Sequence, residues 1–100
     1  MNTIDLDPSE LNTVLQILQR YVPDHEVWAF GSRVTHTAKK FSDLDLVVMT
    51  QQPLAFSILG ELQEAFSESN LSIKLDVLDW SRTDLDFQRW IEAQRVLLKR

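Results

Sequence analysis

The 100-residue chain has no cysteine. That excludes disulfides, thiolate nucleophiles and Cys-based zinc sites, and it is compatible with a reducing compartment. Glycine occurs only twice and proline three times, which sets the chain apart from low-complexity and fibrous sequences. No linker or repeat divides it, so one domain over residues 1–100 is expected. No apolar run approaches the roughly 20 residues of a membrane span. The opening MNTIDLDPSE has neither a basic nor an apolar segment of the kind that directs export. A cytoplasmic protein without membrane attachment is the simplest expectation. Positive charge is also short: ten Lys and Arg stand against fifteen Asp and Glu, for a net charge of −5. Such a surface repels nucleic-acid backbones at long range and disfavours general DNA or RNA binding. A small nucleotide escorted by metal ions is still allowed, because the cations reverse the local field.

What is present is an ordinary globular composition, 44% hydrophobic with nine aromatic residues, three Trp, one Tyr and five Phe. Asp7 can cap a helix that has Pro8 at its first position and Glu10 in its first turn, with Leu11, Val14, Leu15, Leu18 and Val22 forming the apolar stripe. Pro23-Asp24 ends it, and Glu26 to Phe30 reads as a short buried strand closed by Gly31. A polar stretch from Gly31-Ser32-Arg33 through Lys39 and Lys40 predicts a short helix and a loop, followed by a strand from Leu44 to Thr50. Pro53 opens a helix whose positions Leu54, Ala55, Ile58, Leu59, Leu62 and Phe66 repeat at helical spacing. Residues Ile73 to Leu78 alternate as a third strand. Thr83 with Asp86 reads as a capping box for a last helix carrying Phe87, Trp90, Ile91 and Leu97 or Leu98. The expected order is α-β-α-β-α-β-α, an α/β (α+β) chain.

The triplet Asp-Leu-Asp occurs three times, at Asp5–Asp7, Asp43–Asp45 and Asp84–Asp86. The first and last precede or begin helices, where carboxylates satisfy free N–H groups and the dipole. The middle copy begins a strand, where i and i+2 project to one face. Asp43 and Asp45 then stand side by side about 7 Å apart at Cα while Leu44 and Leu46 turn to the core. Two like charges so placed raise each other's pKa unless a cation neutralises them. A hard divalent ion suits such a pair, since magnesium prefers one or two carboxylates plus substrate phosphates.

Ten residues separate Ser32 from Asp43, giving Gly-Ser-x10-Asp-x-Asp. Small residues at a strand-to-helix turn let backbone N–H groups and a hydroxyl approach an anion. In SIKLDVLDW, Ile73, Leu75 and Val77 share one face and Lys74, Asp76 and Leu78 the other. Asp76 is therefore the preferred third carboxylate over Asp79, which has the opposite parity and can simply begin a turn.

Gly31-Ser32, Asp43-x-Asp45 and a third aspartate in an apolar strand, in a chain of this length, resemble the minimal nucleotidyltransferases (MNT proteins) of the DNA polymerase β superfamily. The resemblance runs from VWAFGSR to the last helix. It implies a small mixed sheet flanked by helices, with Asp43, Asp45 and Asp76 as catalytic residues holding two Mg²⁺ ions. It further implies Gly31, Ser32 and Arg33 at the triphosphate of ATP or another NTP, and Asp76 helping to deprotonate the acceptor hydroxyl. Many relatives resemble GSRxRG at the first turn, whereas this chain reads Gly31-Ser32-Arg33-Val34-Thr35-His36, so a second arginine and a glycine are missing. Lys39 and Lys40 are the cations nearest in sequence to compensate.

A chain of this length has no room for a separate acceptor domain, so a partner is expected to supply the acceptor. MNT proteins resemble the antitoxin half of a pair with a helical HEPN toxin, neutralised by transfer of AMP to a hydroxyl, by contact, or both. Two further functions stay open: a non-catalytic module that neutralises its HEPN partner by binding alone, and a nucleotidyltransferase for small antibiotic-type acceptors. Self-association and assembly with a partner are both allowed. Trp80, Phe87 and Trp90 read as packing for the last helix or as an aromatic anchor for a partner. His25 and His36 have no companions at metal-ligand spacing and read as surface residues.

Overall fold

Asp7 caps the first helix, its carboxylate accepting the Ser9 N–H at 2.9 Å, and Pro8 takes the first position of α1 (Pro8–Tyr21). That start sets the phase of the apolar stripe, so that Val14 and Leu18 are fully buried. The computed structural model describes residues 4–40 and 42–100; the start of the stretch read above for an export signal, residues 1–3, lies outside them. After α1 come β1 (Val27–Phe30), α2 (Ser32–Thr35), β2 (Leu44–Val48), α3 (Phe56–Ser67), β3 (Leu75–Asp79), a 3-10 turn (Trp80–Arg82), α4 (Leu85–Glu92) and β4 (Val96–Lys99).

The strands form one mixed sheet in the order β3-β2-β1-β4. β2 and β3 run parallel, and β1 is antiparallel to both of its neighbours. Alternation along the strands splits the side chains between two covers. Val27, Ala29, Leu44, Leu46, Val48, Leu75 and Val77 face α1 and α3 in the main core. Phe30 and Val47 face α4, where Ile91 completes a smaller second core flanked by Trp28, Leu78, Trp80 and Phe87.

The expected order needs one correction. The last helix stops at Glu92, and Leu97 and Leu98 belong to β4 on the edge of β1. A four-residue edge strand after a helix, with no Gly or Pro between, has no local signature, and it is pairing with β1 that makes these residues extended. Lys99 helps to fix the strand, its Nζ donating to Pro23 O at 3.3 Å and His25 O at 2.6 Å.

Helix starts also shift. The third helix begins at Phe56 with Ala55 as its cap position, rather than at Pro53. The Thr83/Asp86 capping box is replaced by Asp84, whose carboxylate accepts the Phe87 N–H at 2.8 Å. The Thr83 hydroxyl instead donates to Trp80 O at 2.6 Å, closing the 3-10 turn.

Candidate active site

Phe30, Asp45 and Asp76 are register partners across β1, β2 and β3. Directly paired residues on adjacent strands share a face, so one row across the α4 side of the sheet reads aromatic, carboxylate, carboxylate. Asp43 lies just ahead of β2, where the Leu44 N–H donates to Lys74 O at 3.0 Å and extends the ladder. Asp43 and Asp76 are exposed, while Asp45 is partly covered. Burial, then the charge of Asp76, then that of Asp43 push the Asp45 carboxyl up to about 6. The charges of Asp76 and Asp43 therefore both reach Asp45. Among the described residues, no three His, Asp or Glu side chains are gathered tightly enough to hold a metal ion as they stand.

Gly31 follows Phe30 directly and adopts φ 85°, ψ −160°, a region open essentially to glycine alone. The same residue lies so close to β2 that a Cβ there would collide with Asp45 Oδ2 and stand 3.3 Å from its Cγ. The Gly31 carbonyl accepts the N–H groups of Val34 at 3.0 Å and Thr35 at 3.1 Å, starting α2. Its own N–H donates to Gln94 Oε1 at 2.7 Å. Ser32 opens α2 half-exposed, beside the carboxylate row, where the first amides of a helix have no intrahelical acceptor.

Arg33 is where the structure departs from the sequence-based site. It was expected at the triphosphate, yet it is buried, 7% exposed. Its Nε donates to Ser42 O at 3.0 Å, Nη1 to Asp5 O at 2.7 Å, and Nη2 to Lys40 O at 3.2 Å and Lys39 O at 3.5 Å. A guanidinium wrapped in four backbone carbonyls ties Lys39, Lys40 and Ser42 to Asp5 of the N-terminal arm. As it stands it is not presented to a nucleotide. Lys39 and Lys40 are exposed.

Asp79 has a different task from Asp76. It is 3% exposed and accepts the Leu54 N–H at 2.7 Å, the Thr50 hydroxyl, and the Ser81 N–H and hydroxyl at 3.1 and 2.9 Å. Arg82 Nε lies 3.4 Å away. Burial alone raises this carboxyl, but the hydrogen bonds together outweigh it and hold it below its ordinary value. Asp79 closes the turn after β3, whereas Asp76 stands exposed in the row with Asp45.

The aromatic residues divide in the same way. Trp80 and Phe87 pack on the second core. Trp90 is 50% exposed, its ring edge-on to Phe30 at 5.8 Å and tilted against Phe87 at 5.5 Å. Phe30 also meets Phe87 edge-on at 5.9 Å. A partly open aromatic wall therefore borders the carboxylate row. Gln94, which joins this wall to the Gly31 turn, carries no motif, and only the pairing of β4 with β1 brings it there.

The comparisons with known proteins bear on the family. Residues 12–100 match the family described as "Polymerase beta, Nucleotidyltransferase". The chain is 48% identical over 96 residues to the "Probable protein adenylyltransferase MntA" of Haemophilus influenzae, covering 96% of this chain and 84% of that protein. A crystal structure of a toxin-antitoxin with AMP-PNP superposes with a TM-score of 0.75 at 22% identity, over 89% of this chain and 72% of that one. The MNT antitoxin complex with tri-AMPylated HEPN toxin from Shewanella oneidensis gives 0.67 at 19% identity, over 91% and 70%. The two structures speak for the fold, and the sequence match over nearly the whole length speaks for descent: the chain belongs to the polymerase β nucleotidyltransferase family.

Proposed function

We propose that this protein transfers AMP from ATP to a hydroxyl of a helical HEPN-type partner, as the antitoxin of a toxin-antitoxin pair. The observation that carries the proposal is the row of Asp45 and Asp76 with Asp43 beside it, set against the Gly31-Ser32 turn. Support comes from the relative named an adenylyltransferase and from the fold shared with an antitoxin bound to an AMPylated HEPN toxin. The compartment that goes with it is the cytoplasm, where ATP is available; no described helix is long and apolar enough to cross a membrane.

The donor set is all carboxylate oxygen, which fits a hard cation, and Asp45, pushed up by its neighbours, is the group a cation would relieve. Asp43, Asp45 and Asp76 would hold two Mg²⁺ ions, which when bound supply charge stabilisation for the attacking and leaving oxygens. The residues of the chain have separate tasks. The Ser32 hydroxyl and the first amides of α2 face the triphosphate. Asp76, exposed on the edge strand β3, is open to an acceptor arriving from outside. The acceptor oxygen attacks the α-phosphorus, its proton passes to the Asp76 carboxylate, and the bond to the β-phosphate breaks to release pyrophosphate. Positioning and charge account for most of the catalysis in such transfers.

The test incubates the chain with α-labelled ATP, Mg²⁺ and the protein encoded beside it. Label on the partner with wild type, and none with Asp45→Asn, is expected. No label with wild type, together with full neutralisation by Asp45→Asn, would leave contact alone as the mode of action. Label on an aminoglycoside without any partner would move the protein to the small-molecule class.

A further inference from the structure

We infer that Gln94 is a positioning residue for the nucleotide site, fixing the Gly31 peptide at the distance from Asp45 that the site requires. This inference rests on the nucleotide-transfer function proposed above. Gly31 is held on both sides: its carbonyl by the Val34 and Thr35 amides, its N–H by Gln94 Oε1 at 2.7 Å. The second side is the informative one. The two residues lie 63 apart in sequence, so the clamp comes from tertiary structure and not from the turn itself.

The base from which Gln94 reaches is rigid. The Gln94 and Arg95 amides donate to Ile91 O at 3.1 and 2.9 Å, and Ile91 is completely buried in the second core. The Gln94 Nε2 donates back to Trp90 O at 3.2 Å. With its amide nitrogen turned to a carbonyl and its oxygen to an N–H, both ends of the side chain are matched. Gln94 therefore joins three parts: the end of α4, the exposed Trp90 beside the carboxylate row, and the glycine turn.

Gly31 has no side chain to lock its peptide, and it sits where any outward or inward rotation changes the gap to the Asp45 carboxylate. The Gly31 N–H belongs to the Phe30–Gly31 peptide, and without the Oε1 acceptor that peptide can turn about Gly31 and loosen the start of α2, Ser32 included, from its place beside Asp45. Binding should weaken by the worth of one hydrogen bond and the lost preorganisation, roughly three- to tenfold. The rate at saturating nucleotide should change little, because Gln94 touches none of the reacting atoms.

The experiment compares the full chain with Gln94→Met, which keeps length and packing but has no amide, and Gln94→Ala. AMP-PNP is titrated calorimetrically in MgCl₂, label transfer gives KM and kcat, and a melt reports folding. Weaker AMP-PNP binding and a raised KM with kcat within about twofold, in folded variants, is the expected result. A folded variant that binds AMP-PNP as tightly as wild type overturns the inference, whatever its Tm. If both variants melt below the assay temperature, hydrogen exchange of the wild-type Gly31 N–H decides: slow exchange supports the clamp, and exchange at the rate of an open loop amide overturns it. Wild type that binds no AMP-PNP strikes instead at the proposed function.

Discussion

Gly31 packs its Cα directly against the carboxylate of Asp45. The two are far enough apart in sequence to look unrelated, yet the antiparallel pairing that sets Phe30 opposite Asp45 brings the next residue onto that side chain. The spacing between the Gly-Ser pair and the paired aspartates thus records a contact between the turn and the first strand residue with a charged side chain.

Gly31→Ala should fail for two reasons at once. The backbone is in a region that costs a residue with a Cβ about 1–3 kcal/mol, and that Cβ meets Asp45. The expected outcome is a melt lowered by several degrees, on a scale of about 4–8 °C per kcal/mol for a domain of this size, with label transfer reduced at least tenfold. A variant as stable and active as wild type would remove the close packing from the account.

Asp45→Asn should stabilise the protein while removing its activity. Folding raises the Asp45 pKa from 3.8 to about 6, so between roughly pH 4 and 6 the folded state holds more proton than the unfolded one. Stability contributed at this position therefore falls as pH rises through that window and stays low above it. In metal-free buffer the Asn variant should melt several degrees higher at pH 7.5 and show a flatter pH profile from 4 to 6. Equal melting of both proteins at pH 7.5 would contradict the crowding of charge around Asp45.

Arg33→Met strips donors from the carbonyls of Asp5, Lys39, Lys40 and Ser42. Loss of these part-buried bonds, and of the packing of a buried side chain, makes a cost of about 2–4 kcal/mol the expected result, read from denaturant unfolding. Arg33→Lys should recover little, since one ammonium cannot span the same carbonyls as a planar fork.

Asp79→Ala should cost about 2–3 kcal/mol at pH 7, because the Leu54 N–H and the Thr50 and Ser81 hydroxyls lose their shared acceptor. With its pKa held below 3.8 in the folded state, Asp79 contributes stability above that pH and loses it as pH falls through the folded value. The gap between wild type and variant in urea titrations should narrow below about pH 4. A constant gap from pH 7 to 3 would assign the loss to packing alone.

The apolar stripes of the long helices, the Asp7 cap of α1, the first three strands and the position of the aspartate pair at the head of β2 were legible in the sequence. Each depends on local chemistry: Asp7 before Pro8, the alternation in LDLVV, parity along LDVLD. What escaped depends on contacts between distant segments. Arg33 looks like a free cation beside a glycine turn until the carbonyls of Asp5, Lys39, Lys40 and Ser42 close around it. Leu97 and Leu98 continue a helical count until β1 offers them an edge, and Gln94 has no meaning without that edge. Strand parity placed Asp76 ahead of Asp79, and in the structure Asp76 is the register partner of Asp45 while Asp79 turns inward to cap.

The central strand β1 receives its two flanking partners at very different times. β2 follows within the same half of the chain, but β4 lies at the far end of the described residues, so Val27 must wait to meet Lys99. Folds dominated by such distant pairings reach the native state in milliseconds to seconds rather than microseconds. Before β4 pairs with β1, the Gly31 turn lacks the glutamine that accepts its N–H, so a molecule opened along that edge can keep its main core while losing the clamp.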